Sequence, residues 1–407
     1  MYWNNEVRVL KRKNKVFIWK DGLYDTIPYE NYEIVNEIIK CRIDFQEVGE
    51  YFEIEEDGAY IKRLISRLIE IGFIVDNNSV FENNKRGYTI TIITTNKCNL
   101  NCKHCCQDAH IEAGKSKELT TGEWLTVIDK LSDLYIDDLT ITGGEPLVRE
   151  DFITIAAYAR KKLDTHLSLL TNGILLTNEL AEKVSTIFDS VSISIDGSDA
   201  ELTKIVRNAD LFDTVINRIQ LLKRYGVKEL SLSAILPAIS KVENEFVDLC
   251  RKLEVEPVLR KYSKMGRGST GEDVILDEYK KYAEEKKLQF YNRYYMEDLQ
   301  NFNLCSACIF NFTINEMGEI FPCNLLQNDE FKIGSIFDTS IIERIGSFEL
   351  VRNYRNFKNT ECENCQYNFL CWHCISEIYE LEKDKKEFQD RCSIKKQVIK
   401  RMIWGEE

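Results

Sequence analysis

The sequence predicts an α/β protein built on a partial (β/α)6 barrel, with a small domain before the barrel and a cysteine-rich domain after it. From residue 88 onward, short apolar strands alternate with helical stretches, as in parallel strands joined by crossover helices. Beyond residue 305 the chain is rich in cysteine and weakly periodic. Such a segment is expected to be held together by metal more than by an apolar core.

Residues 1–82 predict a winged-helix-like domain. Residues 7–10 and 15–19 have the composition of two strands, and Tyr29–Lys40 has the apolar spacing of a helix. A short second helix, a third helix and a closing strand complete the predicted order, with Gly72 as a C-cap. The polar run that follows is a candidate linker.

Residues 88–270 predict the barrel. Six apolar strands are expected, at 88–95, 139–142, 167–171, 191–196, 230–235 and 258–260. Six units are fewer than the eight of a closed barrel, which is why the barrel is expected to be partial. A charged connecting helix at 271–304 then leads into the cysteine-rich domain at 305–407.

Composition restricts the partners and the compartment. A net charge of −13 disfavours nucleic acid and anionic lipid as partners. No signal peptide or membrane span is visible, so a cytoplasmic protein with no membrane partner is expected. In such a protein, fourteen cysteines beside four histidines indicate thiolate-ligated metal.

The first cysteine motif follows the first barrel strand directly. Cys98, Cys102 and Cys105 have the spacing C-x3-C-x2-C, at the strand end where α/β barrels build active sites. Three thiolates cannot saturate a cubane of four irons, so one iron stays open for a small-molecule ligand. A zinc knuckle is the alternative, with His104 or Cys106 as its fourth ligand.

A second motif, Gly143-Gly144-Glu145-Pro146, ends the second strand at the same edge. Glycines there let the backbone approach a ligand closely. The carboxylate and the carbonyls can accept hydrogen bonds from an ammonium group. The four residues are a weak signal alone and a strong one when they come one βα unit after C-x3-C-x2-C.

Together these motifs resemble the radical S-adenosylmethionine (SAM) superfamily, over residues 88 to about 268. The resemblance implies that Cys98, Cys102 and Cys105 hold a [4Fe–4S] cluster and that the Gly-Gly-Glu segment holds the amino group of SAM. It assigns SAM contacts to Gly143, Gly144, Glu145, Pro146, Asn172, Ser194, Asp196 and Arg207, with Arg207 at the carboxylate. His104 stands where the family often has another aromatic residue, and Met265-Gly266-Arg267-Gly268 resembles the end of the family's barrel.

The C-terminal cysteines resemble those of a SPASM domain, an extension that binds two auxiliary [4Fe–4S] clusters. The resemblance implies that the first auxiliary cluster is bound by Cys305, Cys308, Cys323 and Cys374. It implies that the second is bound by Cys362, Cys365, Cys371 and Cys392. The family pattern places three residues between the last two cysteines of the central run, where this chain has only Trp372 and His373. A pair of four-cysteine zinc sites is the alternative.

The expected cofactors are therefore three [4Fe–4S] clusters and SAM, and the implied chemistry is reductive cleavage of SAM to a 5′-deoxyadenosyl radical. That radical takes a hydrogen from the substrate, while the auxiliary clusters accept or conduct an electron. An electron donor such as flavodoxin or ferredoxin is implied. No side-chain acid or base is identifiable beyond the cofactor ligands.

The N-terminal order of elements resembles the peptide-recognition element of enzymes that modify ribosomally made peptides. The leading hypothesis is a maturase that docks the leader of a precursor peptide as an added strand near residues 16–19 and forms a cysteine thioether cross-link. Carbon–carbon cross-linking and other oxidation, including formylglycine formation in sulfatases, remain alternatives. A plain winged helix used for packing is the alternative for the domain. A non-catalytic iron–sulfur electron carrier or redox sensor is the alternative for the protein.

Overall fold

The computed structural model describes all residues except 21–22, 76–86, 113–116, 236–239, 261, 286–306, 308–310, 342–363, 368–369, 371–373, 382 and 406–407. The described residues group into two compact units. One unit joins the N-terminal residues up to 75 with the C-terminal residues from 364 onward. The other contains residues 87–285 and, further along the chain, 307 and 311–341.

The N-terminal part of the first unit is a small antiparallel sheet with helices against one face. Its strands are β1 (Tyr2–Trp3), β2 (Arg8–Arg12), β3 (Lys15–Lys20), β4 (Leu23–Pro28) and β5 (Ile74–Val75). Its helices are α1 (Tyr29–Lys40) and α2 (Glu55–Glu70), with the 3-10 turn Phe45–Tyr51 between them. The sheet order is β2-β3-β4, and β1 pairs with β5 separately. The sequence predicted only two strands before the first helix, which correspond to β2 and β3, so β1 and β4 were missed.

The central strand β3 is buried on both faces. Val16 and Ile18 point into the core beneath α1 and α2. Phe17 and Trp19, on the other face, pack against C-terminal residues, namely Tyr367, Leu370, Ile399 and Ile403. Because β3 pairs with β2 on one side and β4 on the other, the predicted strand addition at residues 16–19 is wrong. Within the described residues of this three-stranded sheet, the outer edges of β2 and β4 remain for an added strand.

The C-terminal part of the first unit contributes two helices, α10 (Ile375–Leu381) and α11 (Lys385–Trp404). Asp384 caps α11 by accepting hydrogen bonds from two backbone amides of its first turn. Ile399 and Ile403 are one helical turn apart on α11, which places both on the face that meets Phe17 and Trp19.

The second unit confirms the predicted barrel architecture, with six neighbouring parallel strands. They are β6 (Tyr88–Ile93), β7 (Ile136–Thr142), β8 (His166–Thr171), β9 (Ser190–Ser194), β10 (Glu229–Ile235) and β11 (Glu256–Arg260). The helices are α3 (Thr121–Leu131), α4 (Phe152–Lys162), α5 (Asn178–Ile187), α6 (Ala200–Arg207), α7 (Phe212–Arg224), α8 (Ser240–Lys252) and α9 (Gly268–Glu285), with a 3-10 turn at Pro146–Val148. Thr120 and Glu123 form a capping box at the start of α3. Helix α6 was not predicted.

Three further strands extend the sheet beyond β6. They are β12 (Asn311–Ile314), β13 (Glu319–Phe321) and β14 (Gly334–Ser335). β12 runs parallel to β6, and β13 and β14 add to it antiparallel. Phe312, Ile314 and Ile320 join the barrel core, so apolar packing holds this stretch, although metal was expected to contribute more than an apolar core. No helix in the described ranges is long and apolar enough to cross a bilayer.

Candidate active site

The predicted site residues gather at the C-terminal edge of the parallel sheet. The segment between β6 and α3 carries all three cysteines of the first motif, and residues 96–110 are called the cluster loop below. The Gly-Gly-Glu segment follows β7, Asn172 follows β8, and Asp196 follows β9. Because the six barrel strands are parallel, these segments end at one edge, as the sequence predicted.

Each thiol of the first motif accepts one hydrogen bond from the protein. The Leu100 amide donates to Cys98 Sγ over 3.4 Å, and the Ala109 amide donates to Cys105 Sγ over 3.4 Å. The third donor is a side chain (Arg207), whose Nη1 lies 3.8 Å from Cys102 Sγ. Donors of this kind favour the charged thiolate, which is the form that binds iron.

Burial opposes that charge. It raises the pKa of the Cys98 thiol to about 11 and raises the pKa of the Cys102 thiol as well. The negative charges of Glu145 and of the two neighbouring cysteines add to the rise in the pKa of Cys98. A metal that binds there must displace the protons, and its positive charge offsets the cost of burying three thiolates.

A zinc knuckle and a cubane place different demands on their ligands. Among the described residues, no group of three or more His, Cys, Asp or Glu side chains is arranged to hold a single metal ion. A zinc knuckle needs four ligands around one ion. His104 Nε2, the imidazole nitrogen considered for that role, instead lies 3.3 Å from Asp196 Oδ2. In a cubane each thiolate binds a different iron, so the three need not converge on one point.

The Gly-Gly-Glu segment lies directly against the cluster loop. The Gly144 amide donates to Thr95 O over 2.8 Å, and the Glu145 amide donates to Lys97 O over 2.9 Å. A Cβ at Gly143 would lie 2.5 Å from Thr95 O, and one at Gly144 would lie 2.5 Å from Lys97 O. The absence of a side chain at both positions therefore admits the backbone that leads to Cys98.

Glu145 is fully buried and held by three donors. Thr171 Oγ1 donates to Oε1 over 2.7 Å, the Asn172 amide donates to Oε2 over 2.7 Å, and the Leu147 amide donates to Oε1 over 3.1 Å. Burial raises the pKa of this carboxyl, against the three donors, which lower it. A carboxylate offers about four acceptor positions, so about one remains for an incoming ammonium group.

Asn172 and Ser194 hold neighbouring strand ends in place. Asn172 Nδ2 donates to Oδ1 of Asn99, the residue after Cys98, over 2.8 Å. Ser194 Oγ accepts from Ser233 Oγ over 3.2 Å across the β9–β10 pair. Pro146 is buried and begins the 3-10 turn behind Glu145. The predicted SAM-contact residues thus lie together at the edge that carries the cluster loop.

A buried ionic group connects β9, α6 and the cluster loop. Arg207 Nε lies 2.5 Å from Asp196 Oδ2, and both side chains are almost fully buried. Although burial opposes its ionisation, the charges of Arg207 and His104 hold the pKa of Asp196 below its usual range. The backbone of Asp196 is left-handed, at φ 59°, and its Oδ1 accepts from the Ile235 amide over 2.8 Å. Arg207, predicted to meet the SAM carboxylate, is therefore also a partner of Asp196 and of Cys102.

The site fits SAM in one further respect. His104 Nδ1 is buried and has no hydrogen-bond partner. Buried polar atoms in folded proteins are normally paired, so an unpaired nitrogen beside the cluster cysteines is consistent with a ligand at this place. The three-thiol donor set and this unpaired atom together fit a [4Fe–4S] cluster with SAM at its open iron.

The C-terminal cysteines are only partly described. Cys323 lies in the second unit, and Cys365, Cys374 and Cys392 lie in the first. Cys392 is on α11, and Cys374 Sγ lies 3.0 Å from Ser376 Oγ. Cys305, Cys308, Cys362 and Cys371 lie outside the described residues. The loop after Cys323 is bound to the cluster loop, because Gln107 Nε2 donates to Asn324 O over 2.9 Å.

Some residues of the site were not found from the sequence. The amides of Leu100 and Ala109 act through the backbone, which no side-chain pattern reveals. Thr171 ends the strand expected at 167–171, but no sequence pattern marks its hydroxyl as a partner of Glu145. Arg267 was noticed only as part of the segment that ends the barrel, although its side chain binds the cluster loop.

Comparison with known proteins shows similarity at the level of a family model, of curated relatives and of solved structures. Residues 92–253 match the model of the radical SAM superfamily. Mycofactocin maturase MftC of Mycolicibacterium smegmatis is 26% identical over 303 residues, which cover 68% of this chain and 75% of that protein. The AdoMet-dependent heme synthase of Methanosarcina barkeri is 25% identical over 328 residues, which cover 72% of this chain and 93% of that protein.

Among solved structures, Streptococcus suis SuiB bound to the precursor peptide SuiA superposes with a TM-score of 0.55. The match covers 93% of this chain and 96% of that one at 14% sequence identity. At that identity the similarity establishes a shared fold over nearly the whole chain.

Proposed function

Because the chain carries a radical SAM domain over residues 92–253, we propose that it is a maturase that modifies a ribosomally made precursor peptide. The observation that carries the proposal is the triad Cys98, Cys102 and Cys105, with one hydrogen-bond donor on each sulfur, facing the Gly-Gly-Glu segment. The relative named as a mycofactocin maturase, and the likeness to a fold solved with its precursor peptide, support a peptide as the substrate.

Different residues at the barrel edge would bind the cluster and SAM. Cys98, Cys102 and Cys105 would hold the cluster, and the Gly-Gly-Glu segment with Asn172 would hold SAM. When bound, the cluster and SAM supply a 5′-deoxyadenosyl radical that removes a hydrogen atom from the substrate. The buried group formed by Asp196, Arg207 and His104 excludes water beside the cluster, which protects a radical from side reactions.

The preferred product is a cysteine thioether. The acceptor carbon of the peptide loses one hydrogen atom, which becomes part of 5′-deoxyadenosine. The cysteine thiol loses a proton, the carbon–sulfur bond forms, and one electron leaves the peptide. The peptide therefore loses a pair of hydrogen atoms for each cross-link. Carbon–carbon cross-linking and formylglycine-type oxidation are the alternatives.

Two auxiliary [4Fe–4S] clusters would accept that electron, which brings the total to three clusters. Cys305, Cys308, Cys323 and Cys374 are proposed for one cluster, and Cys362, Cys365, Cys371 and Cys392 for the other. Eight cysteines divide evenly between two fully ligated cubanes. A flavodoxin or ferredoxin is proposed as the electron donor that starts each turnover.

The domain at residues 1–82 is proposed to hold the leader of the precursor. Because β3 is paired on both sides, the proposed docking position is the outer edge of β4. Edge strands with unpaired backbone groups are the usual place for an extended peptide to add. Leu23 and Tyr24 on β4 are each 53% exposed and offer an apolar rim. The opposite edge, β2, has three basic residues among its five (RVLKR), a composition that discourages strand addition.

The test is anaerobic reconstitution with iron and sulfide, followed by reduction with dithionite in the presence of SAM. The wild-type protein is expected to form 5′-deoxyadenosine, and the variants C98A, C102A and C105A are expected to form none. The exposed Cys41, changed to alanine, is the matched control and should leave the product unchanged. No 5′-deoxyadenosine from the wild type would favour an electron carrier or redox sensor.

The substrate is tested by co-expression with a short cysteine-containing open reading frame encoded beside this gene. Mass spectrometry is expected to show the loss of a pair of hydrogen atoms per cross-link, with one fewer free thiol for each. A loss of mass with every thiol still free would indicate that the product is a carbon–carbon cross-link and not a thioether. A peptide of unchanged mass would contradict the proposal that this peptide is the substrate.

A further inference from the structure

The cluster loop has almost no regular secondary structure, so its shape depends on bonds to distant parts of the chain. The Lys103 amide donates to Val206 O over 3.2 Å, at the end of α6. The largest set of such bonds comes from a single residue, Arg267, which lies after β11 and at the start of α9.

Arg267 makes four hydrogen bonds to the loop. Its backbone amide donates to Cys105 O over 3.0 Å, and its Nε donates to Cys102 O over 3.0 Å. Nη1 donates to Asp108 Oδ1 over 2.8 Å, and Nη2 donates to Ala109 O over 2.7 Å. The planar guanidinium therefore uses each of its three nitrogens on a different acceptor, and a lysine ammonium cannot reproduce this geometry.

The glycines around Arg267 explain how the arginine comes so close. A Cβ at Gly266 would lie 2.6 Å from Cys106 O and 2.7 Å from Cys105 O. A Cβ at Gly271 would lie 2.2 Å from Lys103 O. The backbone after β11 thus presses directly on the cluster loop, and only glycine permits this approach.

The bonds of Arg267 flank one particular peptide group. The amide between Asp108 and Ala109 donates to Cys105 Sγ over 3.4 Å. Arg267 holds the Asp108 carboxylate on one side of that amide and the Ala109 carbonyl on the other. Asp108 is left-handed at φ 51°, a conformation that is unfavourable for a non-glycine residue and persists only when its surroundings fix it.

We infer that Arg267 is a positioning residue for the cluster bound by Cys98, Cys102 and Cys105, and that it acts by holding the Ala109 amide on the Cys105 sulfur. Hydrogen bonds to cluster sulfurs are among the factors that set the reduction potential. Reduction adds negative charge that such a donor stabilises, so losing the bond lowers the potential. The inference rests on the cluster-binding part of the proposed function and is independent of the substrate.

The test compares reconstituted wild-type protein with R267K by redox titration followed by electron paramagnetic resonance (EPR). The signal that changes when SAM is added identifies this cluster among any others. R267K is expected to titrate at a lower potential, with a SAM-sensitive signal of altered shape. The matched control is R251K, at an exposed arginine of α8 that pairs with Asp248, and it should titrate like the wild type.

A second variant covers the case in which R267K fails to fold. D108G removes an exposed carboxylate and places glycine where φ is positive. The backbone strain at this position is therefore relieved, while one hydrogen-bond acceptor of Arg267 is lost. It is expected to shift the potential in the same direction by a smaller amount. Potentials equal to the wild type in D108G, or in R267K that folds, would overturn the inference. A wild-type protein without a SAM-sensitive signal would instead contradict the proposed function.

Discussion

Arg207 Nε lies 2.5 Å from Asp196 Oδ2, and the two side chains form an ion pair that is almost completely removed from solvent. The pair joins the end of α6 to the end of β9, and the same guanidinium reaches Cys102 Sγ. A structural ion pair and a cluster contact thus depend on one side chain.

Replacing Arg207 by glutamine is expected to lower the free energy of unfolding by about 3–5 kcal/mol, because it leaves the Asp196 carboxylate buried without its partner. Urea unfolding of the anaerobic protein measures this change. The double variant R207Q/D196N removes both charges and should recover part of the loss. Equal stability of R207Q and wild type would show that the pair contributes nothing to the fold.

Gly144 allows the backbone of the Gly-Gly-Glu segment to approach the cluster loop closely, and Gly122 provides the control position. G144A would place a Cβ 2.5 Å from Lys97 O and 2.8 Å from Ala109 Cβ, whereas G122A in α3 meets nothing within 4 Å. G122A is expected to raise stability by about 0.5–1 kcal/mol, since alanine favours a helix. G144A is expected to lower stability and weaken SAM binding, measured by titration calorimetry on the reconstituted protein. SAM binding by G144A equal to that of G122A would contradict this account of the motif.

The barrel could be predicted because its strands and helices have distinct periodicities, and the cysteine spacing identified its active edge. What could not be predicted are features that depend on long-range pairing. β4 follows β3 within a few residues and its composition (LYDTIP) has no clean alternation, so it was missed. β12 is short, and its place beside β6 follows from tertiary packing that no local pattern reveals. For the same reason the roles of Arg267 and of the Ala109 amide appear only when distant segments are brought together.

His166 on β8 is expected to make stability depend on pH near neutrality. Burial alone would lower its pKa, but the hydrogen bond that its Nδ1 donates to Asp138 Oδ2 over 2.8 Å, and the charges of Asp138, Glu229 and Asp189, raise the pKa above the usual value of 6.5. Because the folded-state pKa is raised, the stabilisation is fully present below pH 6.5 and is lost as the pH rises through the folded-state pKa.

The comparison of wild type with H166N by urea unfolding at a series of pH values measures this effect. The difference in stability should be largest at the acidic end and shrink toward alkaline pH. In a D138N background the pH dependence should weaken, because the main partner of the imidazolium is gone. A difference that grows with pH would contradict the assigned direction of the pKa.

The outer edge of β4 is expected to bind the precursor peptide, which makes binding separable from radical chemistry. Tyr24 is exposed on that edge and stacks on the buried Phe17, with ring centroids 5.7 Å apart. Y24E places a charge where an apolar peptide side chain would pack, and it is expected to weaken peptide binding about tenfold, or about 1.4 kcal/mol.

Fluorescence anisotropy with a labelled precursor measures the affinity, and 5′-deoxyadenosine formed without peptide reports the intact barrel. Tyr135, which is 65% exposed in the other unit, supplies the control variant Y135E, and its peptide affinity should equal that of the wild type. If Y24E binds the precursor as tightly as Y135E does, the peptide docks elsewhere, and the charged edge of β2 becomes the next surface to test. Loss of peptide binding with unchanged SAM cleavage would instead assign the leader to β4, because no residue of that strand belongs to the unit that carries the cluster loop.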